Sequence, residues 1–388
     1  MVSWDEAASY VLAELRKEGY EAFIVGGAVR DKVMEKRVRD IDICTDATAD
    51  TVKNIFPRTA EPGVNHGTIL VSAGGRTVEV SEFKSRTHTD GGLTEDLSVR
   101  DFTCNAMAMT EEGRIIDPFH GQEDIRRKLL QSVGNPAARF REDPLRLLRA
   151  LRLSLQLGFK IETGTNEAME KLAPLIRQCA VERVAAEFEK AAENELDINE
   201  LTFLLKHPVV KELPYFGSGC ASLAEKTEAY EGRGFTVRNP VEWWSIIAGF
   251  MHREEANTLL HYYKRSGKII KSVMAVLEET SRQSGKQWED LSLYRLGSEL
   301  IPAAEKLLAL REEREPDVPY LISRLRELPL QSKKDLKLNG HILMREFPHK
   351  PGKWIGKVLN SVEEAVILGK VENDTARILE WLKREKWE

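Results

Sequence analysis

Apolar positions recur along this chain with two different periods, and the change from one to the other divides it. Near the N-terminus, Ser3-Trp4-Asp5-Glu6 reads as a capping box opening an amphipathic helix through Val11, Leu12 and Leu15. Tyr20 to Val25, Asp40 to Cys44, Thr68 to Ser72 and Thr77 to Phe83 then predict strands, the last two joined through Gly74-Gly75 as a hairpin. After about residue 120 the strand signal fades, and helical spacing with short polar breaks continues to the end. Strands followed by helices predict separate modules: an α/β head with a mixed sheet, then an all-α remainder. Gly232 to Gly234 with Asn239-Pro240, and the charged stretch Arg311 to Pro319, are the clearest internal boundaries.

Two strand patterns place acidic side chains together. Side chains alternate along a strand, so Asp40 and Asp42 stand on one face about 7 Å apart while Ile41 and Ile43 enter the core. On the Thr77 to Phe83 strand, Glu79 shares a face with Thr77 and Ser81, opposite Val78 and Val80, and can join the two aspartates. Carboxylates so arranged suit magnesium. Upstream, Gly26-Gly27 lets backbone amides approach an anion, and the helix predicted from Ala28 to Met34 aims its positive end at the same place.

Composition narrows the class. With 388 residues, 42% of them hydrophobic and 31% charged, the chain has enough material for two or more ordinary soluble domains. Its longest apolar run, Trp243 to Met251, is broken by Ser245 and Gly249 and is too short for a membrane span. The N-terminus lacks the basic region of an export signal. Cys44, Cys104, Cys179 and Cys220 are widely spaced, so a reduced cytoplasmic protein without zinc or disulfides is expected. The net charge of -5 hides a local patch: residues 331 to 357 hold seven Lys or Arg against Asp335 and Glu346, an excess of five.

Together, Val25-Gly26-Gly27-Ala28-Val29-Arg30-Asp31 and Arg39-Asp40-Ile41-Asp42-Ile43 resemble the nucleotidyltransferase signature of the polymerase β superfamily. The form is that of bacterial tRNA nucleotidyltransferases and poly(A) polymerases of the second class, which implies that Gly26, Gly27 and Arg30 hold the triphosphate. Arg100-Asp101-Phe102-Thr103-Cys104-Asn105-Ala106 resembles the family's second motif, which implies that Arg100 and Asp101, with Asn105 beside them, contact the nucleoside. Val99 stands where relatives carry a first arginine. Asp117-Pro118-Phe119-His120-Gly121 resembles the next landmark, read here as a turn with a buried Phe and a surface His.

Arg139 to Arg152 is the strongest single stretch. Pro144 suits the first turn of a helix, Asp143 its cap, and Leu147, Leu148 and Leu151 its apolar stripe. Asp143 and Arg146 then share a face, where a carboxylate accepts from the amine of cytosine or adenine and a guanidinium donates to a ring acceptor. The family uses its Glu-Asp-x-x-Arg in this way, as an amino-acid template, and the resemblance extends nucleotide contacts to Arg149 and Arg152 on the same helix. Val181-Glu182-Arg183 and Glu187-Phe188-Glu189-Lys190 match its last helical motif. Leu338-Asn339-Gly340 and Pro351 to Lys357 resemble the tail that grips tRNA, with Lys333, Lys334, Lys337, Lys353 and Lys357 as the RNA contacts. The resemblance implies a head over 1–136, a neck with the template over 137–195, a body over 196–315 and a tail over 316–388.

Only fifteen residues, Ser85 to Val99, separate Lys84 from Arg100. Members that build all of CCA carry a longer flexible loop here, thought to help the template change from C to A. The shortened form implies a CC-adding enzyme: Asp40 and Asp42 as metal ligands, with Glu79 as a third catalytic carboxylate, would bind two magnesium ions, CTP would be the substrate, and a separate A-adding enzyme would finish the tRNA in the same cell. A complete CCA-adding enzyme using CTP and ATP is the alternative. A poly(A) polymerase and a non-catalytic RNA-binding homologue are further readings, the last disfavoured because Asp40 and Asp42 are intact.

Overall fold

The computed structural model describes residues 6–38, 40–61, 67–83, 92–217, 220–230, 234–283, 287–347 and 352–385. The chain forms two compact units, residues 1–179 and 180–388. The first is built on a seven-stranded mixed sheet of order β3-β4-β5-β2-β1-β6-β7. Its strands are β1 Ala22–Val25, β2 Asp42–Thr45, β3 Thr59–Ala60, β4 Thr68–Ala73, β5 Arg76–Glu82, β6 Ala108–Met109 and β7 Ile115–Ile116. The four strands expected from the sequence are present. The other three, β3, β6 and β7, are two residues each and too short to leave a periodic signal.

Within this sheet, among the described residues, only β2 and β5 pair in parallel, and this junction sets the acidic face. Its register puts Asp42 opposite Glu79, Ile43 opposite Val80 and Cys44 opposite Ser81. The first helices, α1 Glu6–Lys17, α2 Gly27–Val33 and α3 Ala49–Ile55, are short and amphipathic. In α1 the buried side chains are Ala7, Ala8, Val11, Leu12 and Leu15, the stripe read from the sequence; its expected capping box lies outside the described residues.

Helices α4 Leu93–Ser98, α5 Gly121–Arg127, α6 Pro136–Glu142, α7 Arg146–Leu157 and α8 Thr163–Leu172 complete the first unit's main helices. A two-strand parallel ladder, Leu129–Leu130 with Lys160–Ile161, ties the start of α6 and the end of α7 together. Asp117 makes the expected turn into α5: its Oδ1 accepts from Gly121 N at 2.7 Å and its Oδ2 from Gln122 N at 2.9 Å. His120 is exposed, as expected, but Phe119 is only half-buried.

The second unit is helical apart from a two-residue ladder, Leu196–Asp197 with Thr236–Val237. One part of its core stacks aromatics, Phe188 against Trp243 and against Phe216, each pair with ring centroids 4.9 Å apart. The C-terminal part has its own apolar cluster, including Leu336, Leu343, Val362, Ile378 and Leu382. Among the described residues no helix is long and apolar enough to cross a membrane.

Candidate active site

The acidic face begins one turn of chain before β2. Asp40 is exposed, Ile41 and Ile43 are buried, and Asp42 is half-buried at the first position of the strand, so the alternation expected from the sequence continues upstream of the ladder itself. Glu79, exposed on β5, is the Cα partner of Asp42. Successive positions in register across a parallel pair present their side chains on the same face. Among the described residues no group of three His, Cys, Asp or Glu side chains is close enough to hold a metal by itself. Two hard oxygen donors without a complete cage fit magnesium, which commonly takes one or two carboxylates and fills its remaining positions with water and substrate phosphates.

Gly26 joins this face to the phosphate side. Its φ of 71° and ψ of -136° are open to glycine and strained for any residue with a Cβ. A Cβ there would also stand 3.2 Å from Arg100 Nη1 and 3.6 Å from Asp42 Oδ2, so a guanidinium and a carboxylate both face the turn. Arg100 is fixed from behind: Asp96 Oδ2 accepts from its Nε at 3.1 Å and its Nη2 at 2.8 Å. Burial opposes the charge on Arg100, but its acidic neighbours together, Asp96 foremost and then Asp101, raise the pKa. Asp96, fully buried on α4, was not singled out in the sequence; its i, i+4 spacing to Arg100 was the available signal.

Arg30 is 7% exposed and does not reach outward. Its Nη1 donates to Asn105 Oδ1 at 2.7 Å, and its Nε and Nη2 to Asp31 Oδ1 at 2.9 and 2.6 Å. A Cβ on Gly27 would lie 3.5 Å from its Nη2, so the positive charge sits directly behind the glycine pair. Asn105 in turn donates from Nδ2 to Asp101 Oδ1 at 3.1 Å, and Asp101 Oδ2 accepts from Arg149 Nε and Nη2 at 2.9 and 2.6 Å. A continuous polar chain, Arg30 to Asn105 to Asp101 to Arg149, therefore links the glycine turn to α7. Burial alone would push the Asp101 carboxyl up, but Arg149, Asn105 and the Phe102 amide hold it down at about 2.

Helix α7 starts later than the sequence implied. Pro144 and Leu145 form a turn before Arg146, with Asp143 Oδ1 accepting from Leu145 N at 3.2 Å and Asp143 O accepting from Arg146 N at 3.0 Å. Asp143 thus caps the entering turn, and the pyrrolidine ring sits outside the helix. Leu147, Leu148 and Leu151 are buried as expected. Arg146 Nη2 donates to Val99 O at 2.7 Å, and its Nη1 lies 3.5 Å from Glu142 Oε2. Arg139, buried on α6, donates to Ser98 O at 3.3 Å and to Glu142 Oε1 at 2.6 Å. Three arginines from α6 and α7 therefore hold Ser98, Val99 and Asp101. Arg152, one turn beyond Arg149, donates to Gln156.

The thiols take no part in this chemistry: burial pushes Cys44 well above the usual thiol range and Cys104 up to about 12, so both stay protonated. In the second unit, Glu189 accepts from Trp244 Nε1 at 2.8 Å and Arg265 Nη1 at 2.7 Å, and Glu182 from Lys264 at 2.5 Å. Lys333, Lys334, Lys337, Lys353 and Lys357 are all exposed. Residues 84–91, which include the first seven of the shortened segment's fifteen residues, lie outside the described residues.

A mixed sheet presenting paired aspartates beside a glycine turn, with no activated nucleophile nearby, defines a nucleotidyltransferase head. Residues 22–131 match the poly(A) polymerase head domain, residues 158–192 the probable RNA and SrmB-binding site of polymerase A, and residues 235–382 the tRNA nucleotidyltransferase domain 2. The CCA-adding enzyme of Bacillus cereus is 35% identical over 97% of both chains. The crystal structure of the Bacillus stearothermophilus CCA-adding enzyme in complex with CTP superposes with a TM-score of 0.80 at 32% identity, covering 98% of this chain and 97% of that one. A tRNA nucleotidyltransferase complexed with a primer tRNA and an incoming ATP analogue aligns at 25% identity and a TM-score of 0.62, over 82% of this chain and 98% of that one. The chain belongs to the class II family of CCA-adding enzymes and poly(A) polymerases, and it is a nucleotidyltransferase with the polymerase β-like head.

Proposed function

We propose that this enzyme adds two cytidines from CTP to the 3′ end of tRNA, releases pyrophosphate at each step, and stops. The observation that carries the CC-only reading is the length of the segment between β5 and Arg100: β5 ends at Glu82, α4 starts at Leu93, and only ten residues connect them. A segment that short leaves little chain to reshape a template. The arginine contacts to Ser98, Val99 and Asp101 support the same reading, because they tie the segment's far end to α6 and α7.

The residues divide the work. Asp40 and Asp42, with Glu79 opposite Asp42, would hold two magnesium ions. Bound there, the metal supplies Lewis-acid stabilisation of the attacking and leaving oxygens. Gly26 and Gly27 bring main-chain amides to the triphosphate with the Arg30 charge behind them. Arg100 lies beside the same turn, and Asp101 and Asn105 line the nucleoside side. Asp143 and Arg146 present an acceptor and a donor to the base edge, a pairing that suits cytosine and adenine and leaves guanine and uracil mismatched. The exposed lysines of the tail, within the division at 136, 195 and 315, would hold tRNA phosphates without reading sequence. The buried thiols of Cys44, Cys104 and Cys220 suit a reduced cytoplasm, and an A-adding enzyme would act next.

A complete CCA-adding enzyme using CTP and ATP is the second reading, favoured by the 35% identity to CCA-adding enzymes along nearly the whole chain. Incorporation of each labelled nucleotide into a tRNA lacking its 3′ end decides between them: CMP alone supports the proposal, and CMP followed by AMP supports the alternative.

A further inference from the structure

The second unit contains a cavity of about 560 Å³ that the nucleotide chemistry above does not use, although Lys333, one of the tail lysines, stands on its wall. It lies where the helix Asp290–Glu312 breaks at Gly297, whose φ of 62° and ψ of 175° are accessible to glycine. Segment 331–333 and the helix Lys353–Ile367 supply the other walls. The volume falls in the range of sites that enclose a small organic ligand.

Its chemistry favours a flat ring with a polar edge. Leu291, Leu296 and the Tyr294 ring give apolar walls, while Gln331 and Asn360 each offer a donor and an acceptor. Glu363, 6% exposed, offers acceptors only. The Tyr294 hydroxyl is buried beside it, within reach of the Glu363 carboxylate, so these two polar groups belong to the same wall of the cavity. The cations here are already engaged. Lys333 Nζ donates to Asn360 Oδ1 at 3.0 Å and lies 3.7 Å from Glu363, and Arg295 pairs with Glu364 at 2.7 Å. The cavity therefore has no excess positive charge with which to select a phosphate.

We propose that this cavity takes one unpaired nucleobase of the RNA substrate, and that the base carries an exocyclic amine. The amine of cytosine, adenine or guanine donates to Glu363, whereas uracil has none to offer. Lys334 and Lys337, exposed in the adjoining chain, meet the flanking phosphates. The inference rests on tRNA being the substrate.

Two variants of the full-length enzyme test it. Asn360 is exposed, so Asn360→Trp fills the cavity from its rim without disturbing the core. It should weaken binding of a tRNA lacking CCA by about 5- to 100-fold, the range that loss of one stacked base carries, with KM for CTP unchanged. Tyr294→Phe removes the buried hydroxyl beside Glu363; it should also weaken tRNA binding, whereas a hydroxyl of no functional use would leave affinity untouched. Wild-type affinity in both variants would overturn the inference. So would competition by free AMP or CMP at the cavity with tRNA affinity unaffected, since the occupant would then be a free nucleotide. CMP incorporation by the wild-type enzyme, scored in parallel, separates this failure from failure of the tRNA reading.

Discussion

Arg149 closes on Asp101 with two donors to one carboxylate oxygen, Nε at 2.9 Å and Nη2 at 2.6 Å from Oδ2. The pair joins α7, the proposed template helix, to the segment that follows α4. Asp101 is also the acceptor for Asn105, which holds Arg30 behind the glycine turn. The proposed base and phosphate contacts are thus connected through one buried carboxylate.

Arg149→Ala should cost about 1–3 kcal/mol in stability by leaving that buried acceptor short of its partner. Arg149→Lys, which keeps the charge and loses the fork, should recover part of the loss. Urea denaturation midpoints check the order wild type, Lys, Ala.

The acid limb of stability should report the same pair. Asp101 titrates at about 2 in the fold and from an ordinary value of 3.8 without it. A depressed carboxyl stabilises the fold fully above its unfolded pKa, and the contribution is lost as pH falls from about 4 to about 2. Thermal melts across that window should fall less steeply for Asp101→Asn than for wild type.

Removal of Asp42 should abolish CMP incorporation while tRNA binding, which we assign to the tail, stays near wild type. Glu79→Gln is expected to lose activity as well, because the β2–β5 register puts Glu79 beside Asp42. Single-turnover incorporation with filter binding on the same samples separates the two effects.

Asp143→Ala should reduce discrimination between CTP and UTP by up to the 1–3 kcal/mol, roughly 5- to 150-fold, that a paired base contact carries. Competition between the two labelled nucleotides measures it. Unchanged preference would leave Asp143 as the cap of the turn into α7 and nothing more.

The strands carrying Asp42 and Glu79 were legible because alternation of Ile and Val with acidic residues survives any tertiary context. Their pairing was not: a parallel register between β2 and β5 depends on the chain between them. Short strands such as β6 were invisible for want of periodicity. The sequence pointed Arg30, Arg146 and Arg149 at a nucleotide, but the fold gives them protein partners first, in Asn105, the Val99 carbonyl and Asp101. A main-chain carbonyl leaves no trace in residue identity, and nothing in the sequence marks Asp96 and Arg139 as the buried charges they are.

The most direct test supplies a tRNA ending before CCA together with CTP and ATP and sequences the 3′ ends of the products. The account predicts accumulation of ends two cytidines longer, with no terminal adenosine at any enzyme concentration that completes the CC step. Efficient formation of full CCA ends by the unmodified enzyme would contradict it.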